Sequence, residues 1–167
     1  MRTCATLLMA MAFLLRSAGA QQKGEPGRFD FYLMEISWSP EFCSIQGTSP
    51  QCVAPPAFVL HGLWPENYGG TYPVFCDPDR PGPANPERNL DITPDLSLLD
   101  HEWKKHGTCT TLAPEAFFSL GRKAFYSLAI PPFFSHISHE VEMQPTEILT
   151  MFSKANPAIP ADRRAHV

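Results

Sequence analysis

The sequence predicts a single domain of mixed secondary structure, strands first and helices after, carried behind a cleavable leader. Three observations support this. Aromatic and branched apolar runs with partial period-two alternation fall before residue 65. Helical spacing with cap and stop signals falls after residue 93. A chain of 167 residues with 44% hydrophobic content is long enough to bury one core.

The leader is MRTCATLLMAMAFLLRSAGA. It combines a basic start at Arg2, an apolar run from Leu7 to Leu15, and Ala18-Gly19-Ala20. That is the layout of a secretory signal cleaved after Ala20. The apolar run is too short to span a bilayer. Residues 1–20 are therefore expected to be removed, leaving a single domain over 21–167 that is secreted or periplasmic, without membrane attachment. Cleavage takes Cys4 away and leaves Cys43, Cys52, Cys76 and Cys109. An even set in an exported chain reads as two disulfides, with three possible connectivities.

The elements follow in order. Gln21–Arg28 is polar and reads as a flexible mature N-terminus. FDFYLMEISWS (29–39) reads as a strand. Pro40–Pro56 holds Cys43 and Cys52 among Gly, Ser and Pro, and reads as a loop closed by a local disulfide. AFVLHGLW (57–64) is a second strand ending at Pro65, and Glu66–Leu90 is a long irregular connection tied at Cys76. Thr93-Pro94-Asp95 offers an N-cap, a proline at the first helical position and an early acid. Leu96, Leu99 and Trp103 continue at helical spacing until Gly107 stops the helix. A second helix is expected over Pro114 to about Leu128, burying Phe117, Phe118 and Phe125. A third is expected from Pro145 to Ala155. There is no internal repeat.

Charge narrows the function. Loss of Arg2 and Arg16, with no acid, moves the formal charge from −4 to −6. An acidic chain lacks the basic footprint that duplex binding needs, so any nucleic-acid chemistry rests on a local site. HEWKKHGTC (101–109) concentrates titratable groups on the last turns of a helix. Glu102 and His106 are four apart and share a face, and His101 and Lys105 form a neighbouring row. A zinc-protease reading fails on spacing. His101 and His106 are five apart, about 140° around the helix, whereas a metal site needs both imidazoles on one face. No metal or other cofactor is expected.

FVLHGLWPENY (58–68) sets His61 in an otherwise apolar strand. A histidine there is more often a satisfied core residue than a catalyst. The balance changes if His61 meets His106, and the sequence permits a Cys76–Cys109 bridge that would draw the two stretches together. Paired imidazoles can give and take a proton near neutrality. A nearby lysine and a third histidine supply positive charge for a phosphoryl group. Such a set suits attack by a ribose 2′-hydroxyl on its own 3′-phosphodiester, which selects RNA over DNA.

FVLHGLWPE and HEWKKHGTC resemble the two active-site signatures of the ribonuclease T2 family, secreted endoribonucleases acting on single-stranded RNA. SWSPEFC with the following Cys52 resembles that family's first strand and first disulfide loop, so the likeness spans about residues 29–130. The resemblance implies an α+β fold, with a mostly antiparallel sheet and helices packed against it. It implies the pairing Cys43–Cys52 and Cys76–Cys109. It gives His106 the role of general base and His61 that of general acid, the two exchanging roles when water opens the 2′,3′-cyclic phosphate to a 3′-phosphate. Glu102 and Lys105 would stabilise the phosphorane, and His101 would help hold the phosphate. Trp64 and Tyr72 would stack on a base with low base specificity, Trp64 having a wedge at the strand end as its structural alternative. Trp103 is expected in the core beneath the site. His136, His139 and His166 match no motif of the family and read as exposed. Single-stranded RNA is the expected partner, and a monomer the expected state.

Two departures accompany the resemblance. Glu66 stands where many members carry aspartate at the base site. The chain also ends at PAIPADRRAHV, where members usually continue with strands and cysteines, so a sheet short of its C-terminal strands is expected. The alternative function is a secreted non-catalytic protein that binds RNA or another partner on the same scaffold.

Overall fold

The computed structural model describes residues 22–135, 137 and 140–159. The expected leader, His136, His139 and His166 lie outside the described residues.

The architecture is α+β, and an antiparallel pair is its principal sheet. Strand β2 (Phe31–Trp38) pairs with β3 (Phe58–Glu66), from Phe31 opposite Glu66 to Trp38 opposite Phe58. A second, parallel pair joins β1 (Gln22–Lys23) to β4 (Pro73–Val74). The segment read as a flexible start is thus anchored, because the 73–74 backbone offers it a ladder. The β2–β3 register breaks between Glu35 and Ile36. Glu35 faces Gly62 and Ile36 faces Leu60, leaving His61 as the extra residue of a bulge. A bulge bends its strand and re-aims a side chain. The second strand also runs through Pro65 to Glu66 rather than ending before the proline.

Residues 40–56 contain more order than a loop. Helix α1 (Ser39–Ile45) starts with Pro40 in its first turn, and the short 3-10 turn Pro50–Cys52 follows. The Cys43–Cys52 disulfide ties the two. Their join is closed by a buried hydrogen bond in which Gln51 Nε2 donates to Ser39 Oγ at 2.9 Å.

Helix α2 (Leu96–Lys105) begins later than expected. Its cap is Asp95, whose carboxylate accepts from the backbone N–H groups of Ser97 at 2.8 Å and Leu98 at 3.2 Å. Thr93 is drawn off instead. Its hydroxyl donates to the Leu60 carbonyl at 2.7 Å, and the Leu60 N–H donates to the Ile92 carbonyl at 2.8 Å. These bonds pin the approach to α2 against β3 immediately before His61. Helix α3 (Pro114–Ser127) buries Phe117 and Phe118 while Phe125 is only half-buried, and α4 (Pro145–Ala155) matches its expected span.

The core lies between β3, α2 and α3. Leu63, Leu99, Trp103, Phe117 and Phe118 form it, with Tyr32 and Met34 of β2 packed alongside. Trp103 is locked there, its indole N–H donating to the Arg80 carbonyl at 3.0 Å. Gly107 follows because a Cβ at that position would overlap the Trp103 ring. A second cluster of Trp38, Phe58, Phe134 and Phe152 seats α4 against the far end of the sheet.

Candidate active site

The two polar stretches meet where the β3 bulge faces the end of α2. The Cys76–Cys109 disulfide holds the end of α2 to the segment after β4, and the Phe75 N–H donates to the Lys105 carbonyl at 2.9 Å. Phe75 takes a positive φ of 49° to do so. A bulky residue in that region is uncommon and marks a backbone that its surroundings hold in place.

His61 is half-exposed, with Nε2 3.7 Å from Glu102 Oε1 and Nδ1 3.5 Å from Ser37 Oγ. Glu102 is only 3% exposed. Its Oε2 accepts from the Trp64 indole N–H at 2.8 Å. Gly62 makes that bond possible, since a Cβ there would overlap both Glu102 Oε2 and Trp64 Nε1. Trp64 then lies nearly parallel to the His106 ring, with centroids 5.1 Å apart and planes 15° apart, and stands edge-on to His61 at 5.8 Å. The indole therefore touches both histidines. His106 is 1% exposed, and among the described residues neither of its ring nitrogens has a hydrogen-bond partner.

The electrostatics follow from this packing. Leu60, Leu63, Leu99, Phe117 and Phe118 surround the inner side of the site. Burial pushes Glu102 up to about 7, opposed by the Trp64 hydrogen bond and by Lys105, and reinforced by the charge of Glu35. Burial pushes His106 down to about 3, with Lys105, His101 and His61 adding repulsion. His61 is lowered by burial, then by His101 and Lys105, and exposed His101 is lowered by weaker burial and by Lys105. Lys105 is thus the common cation of the site, felt by all three histidines and by the carboxyl group.

His61, Trp64, Glu102, Lys105 and His106 come together as the sequence suggested, with His101 on the outer row against the edge of Phe75 at a centroid distance of 6.3 Å. The inward turn of Trp64 differs from an open base-stacking pose, because Glu102 offers its N–H a buried acceptor. Tyr72 lies elsewhere, on a groove of about 310 Å³ shared with Lys23, Arg28 and Asn67. Ser37, Gly62, Phe75 and Glu35 join the site without having been expected there. Only the Gly after His61 carried a signal, since a glycine inside a strand marks a bulge or a close approach. Among the described residues, no group of three or more His, Cys, Asp or Glu is placed to hold a metal.

Fold and site together define a disulfide-braced α+β protein with two histidines, a buried carboxyl group and a lysine gathered between a strand bulge and a helix end. The chain belongs to the ribonuclease T2 family, whose model matches residues 29–140. It is 45% identical over 105 residues to a ribonuclease of Aeromonas hydrophila, covering 62% of this chain and 48% of that one. It is 34% identical over 148 residues to ribonuclease DdI of Dictyostelium discoideum, covering 75% and 63%. Both matches span less than two thirds of the relative's own length. The crystal structure of RNase NT in complex with 5′-AMP shares the fold, with a TM-score of 0.63 at 22% identity over 77% of this chain and 73% of that one.

Proposed function

We propose that the chain is an exported endoribonuclease that cleaves single-stranded RNA with low base specificity. The observation that carries this reading is the meeting of His61, Glu102 and His106 around one lysine. His106 takes the proton of the ribose 2′-hydroxyl, and the oxygen attacks the adjacent phosphorus. His61 gives a proton to the departing 5′-oxygen, leaving a 2′,3′-cyclic phosphate. Water then opens the ring to a 3′-phosphate, with His61 as base and His106 as acid. Lys105 and a protonated Glu102 stabilise the phosphorane charge, and His101 holds a phosphate oxygen from the outer row. His106 is neutral in this arrangement because burial first, and then Lys105, His101 and His61, disfavour its charged form. Entry of substrate lifts the indole from His106 and frees its face for a base. Tyr72 supplies a second aromatic surface on its own groove. The two disulfides fit an oxidising compartment, and removal of residues 1–20 delivers the chain there as one domain and a monomer.

A second reading rests on the same cover. With His106 sealed and unpartnered, the scaffold could bind RNA or another partner without cleaving it. The deciding experiment incubates the disulfide-bonded chain with single-stranded RNA in EDTA at pH 5 and pH 7, and resolves products by mass. Fragments ending in 2′,3′-cyclic phosphate are expected. Intact RNA after exposure to correctly folded protein would favour the non-catalytic reading.

A further inference from the structure

We propose that Glu35 belongs to the site as a positioning residue: its side chain stands beside the Glu102 carboxyl group over Gly62 and acts on the bound phosphate through it. The inference rests on the ribonuclease reading for what Glu102 does to a phosphate, and on the geometry alone for the pair.

Three features of the backbone place Glu35 there. In the β2–β3 ladder Glu35 stands directly opposite Gly62. Opposed residues of an antiparallel pair project to the same side, with Cβ positions about 5 Å apart. The space that a Cβ of Gly62 would fill is taken by Glu102 Oε2, so the side chain of Glu35 starts about one residue's width from the Glu102 carboxyl group. Period-two alternation also puts Glu35 on the same side of β2 as Ser37, and Ser37 Oγ reaches His61. The site face of β2 is therefore already in use two residues along.

The surroundings make the pair one-sided in charge. Glu102 is faced by His61 from β3, by Glu35 from β2, by Lys105 and His106 from its own end of α2, and by apolar Phe117 and Phe118 from α3. Burial raises Glu35, and the charge that it acquires first then opposes ionisation of Glu102. Two ionised carboxylates at this point would repel a phosphodiester. One retained proton halves that repulsion and gives Glu102 an O–H to donate to a phosphate oxygen. Glu35 thus acts through Glu102, setting how far above mild acidity the donor form survives.

The test is a titration of glutamate side-chain carboxyl carbons by NMR on the whole disulfide-bonded chain, beside the pH profile of kcat/KM on single-stranded RNA. In Glu35→Gln the Glu102 carboxyl should titrate at lower pH than in the unaltered chain. The alkaline limb of kcat/KM should move the same way, cutting activity on that side roughly three- to tenfold relative to the acidic side. Glu35→Asp should restore part of both shifts. In Glu102→Gln the Glu35 carboxyl should lose its two-step titration, which checks the pair even if Glu35→Gln does not fold. Coupled titrations in a chain that leaves RNA intact would sustain the pair and count against the ribonuclease reading alone. A Glu102 titration unmoved by Glu35→Gln would overturn the proposal whatever the activity.

Discussion

His61 and His106 carry the same side chain into opposite settings. His61 sits on a strand bulge, half-exposed, with a hydroxyl and a carboxyl group within 3.7 Å. His106 ends a helix, 1% exposed, unpartnered, and roofed by Trp64. A buried imidazole with two idle nitrogens is costly, because each lost water bond goes unreplaced. Proteins keep such groups where something other than stability needs them. The contrast therefore teaches more than either ring alone: one histidine reaches solvent beside two polar partners, and the other lies in a dry place under the indole.

Replacing each histidine breaks the comparison with the largest effect. His61→Phe and His106→Phe should each lower kcat by about 10²–10⁴, measured on single-stranded RNA. Their stabilities should separate. His106→Phe removes two unsatisfied nitrogens and should leave the fold unchanged or more stable by about 1 kcal/mol. His61→Phe puts an aromatic ring at a half-exposed bulge and should gain nothing. Activity surviving in both variants would sink the paired-histidine reading.

The disulfides come next. Removing Cys76–Cys109, which closes a separation of 33 residues, should cost about 3–4 kcal/mol, against about 2–3 for Cys43–Cys52 with a separation of 9. The first loss acts on the His106 side, since Phe75 holds the Lys105 carbonyl. The second bridge ties α1 to the Pro50–Cys52 turn. Denaturant unfolding of the two double-serine variants, with cleavage assayed alongside, checks both points. Equal loss of activity at matched stability would show that the longer bridge has no special hold on the site.

Much of this was legible in the residues, and the misses have physical reasons. The α4 boundaries could be read because Pro145 sets the start and the helix has no competing signal. The α2 start differs from the expected one because Thr93, a good cap by type, has a stronger use in bonding the Leu60 carbonyl across the sheet. No local pattern announces that contact. His61, Glu102, Lys105 and His106 announced themselves through spacing and through resemblance to the ribonuclease T2 signatures. Glu35 could not, because its relevance depends on a register shift that puts it opposite Gly62 rather than opposite His61. The inward pose of Trp64 was equally hidden, since it needs the glycine, the bulge and a buried acceptor together.

Trp64 offers the sharper, smaller test. In Trp64→Leu the roof shrinks and water reaches His106, so its pKa should rise from about 3 toward the ordinary range. Glu102 loses a donor to its charged form and should rise as well. His61, touched only by the indole edge, should change less. The C2-proton resonances of the two histidines, followed by NMR across pH, report this directly. Parallel movement of both rings would mean that Trp64 is not a cover specific to His106.

The smallest effect is in how stability depends on pH, and it comes from two groups working against each other. His106 has a folded pKa near 3, below the ordinary 6.5, so the unfolded chain binds its proton first. Its contribution is present above 6.5 and is lost as pH falls toward 3. Glu102 has a folded pKa near 7, above the ordinary 4.5, so the folded chain keeps its proton longer. Its contribution is present below 4.5 and is lost as pH rises through 7. Between 4.5 and 6.5 the slopes oppose, and their sum should be close to flat. His106→Phe leaves the Glu102 slope alone, so the variant, relative to the unaltered chain, should lose stability with rising pH across that window. Glu102→Gln leaves the histidine slope and should gain it. Denaturant midpoints at half-unit intervals measure both. Difference curves of the same sign in the two variants would mean that the buried pair does not divide its protons as the packing dictates.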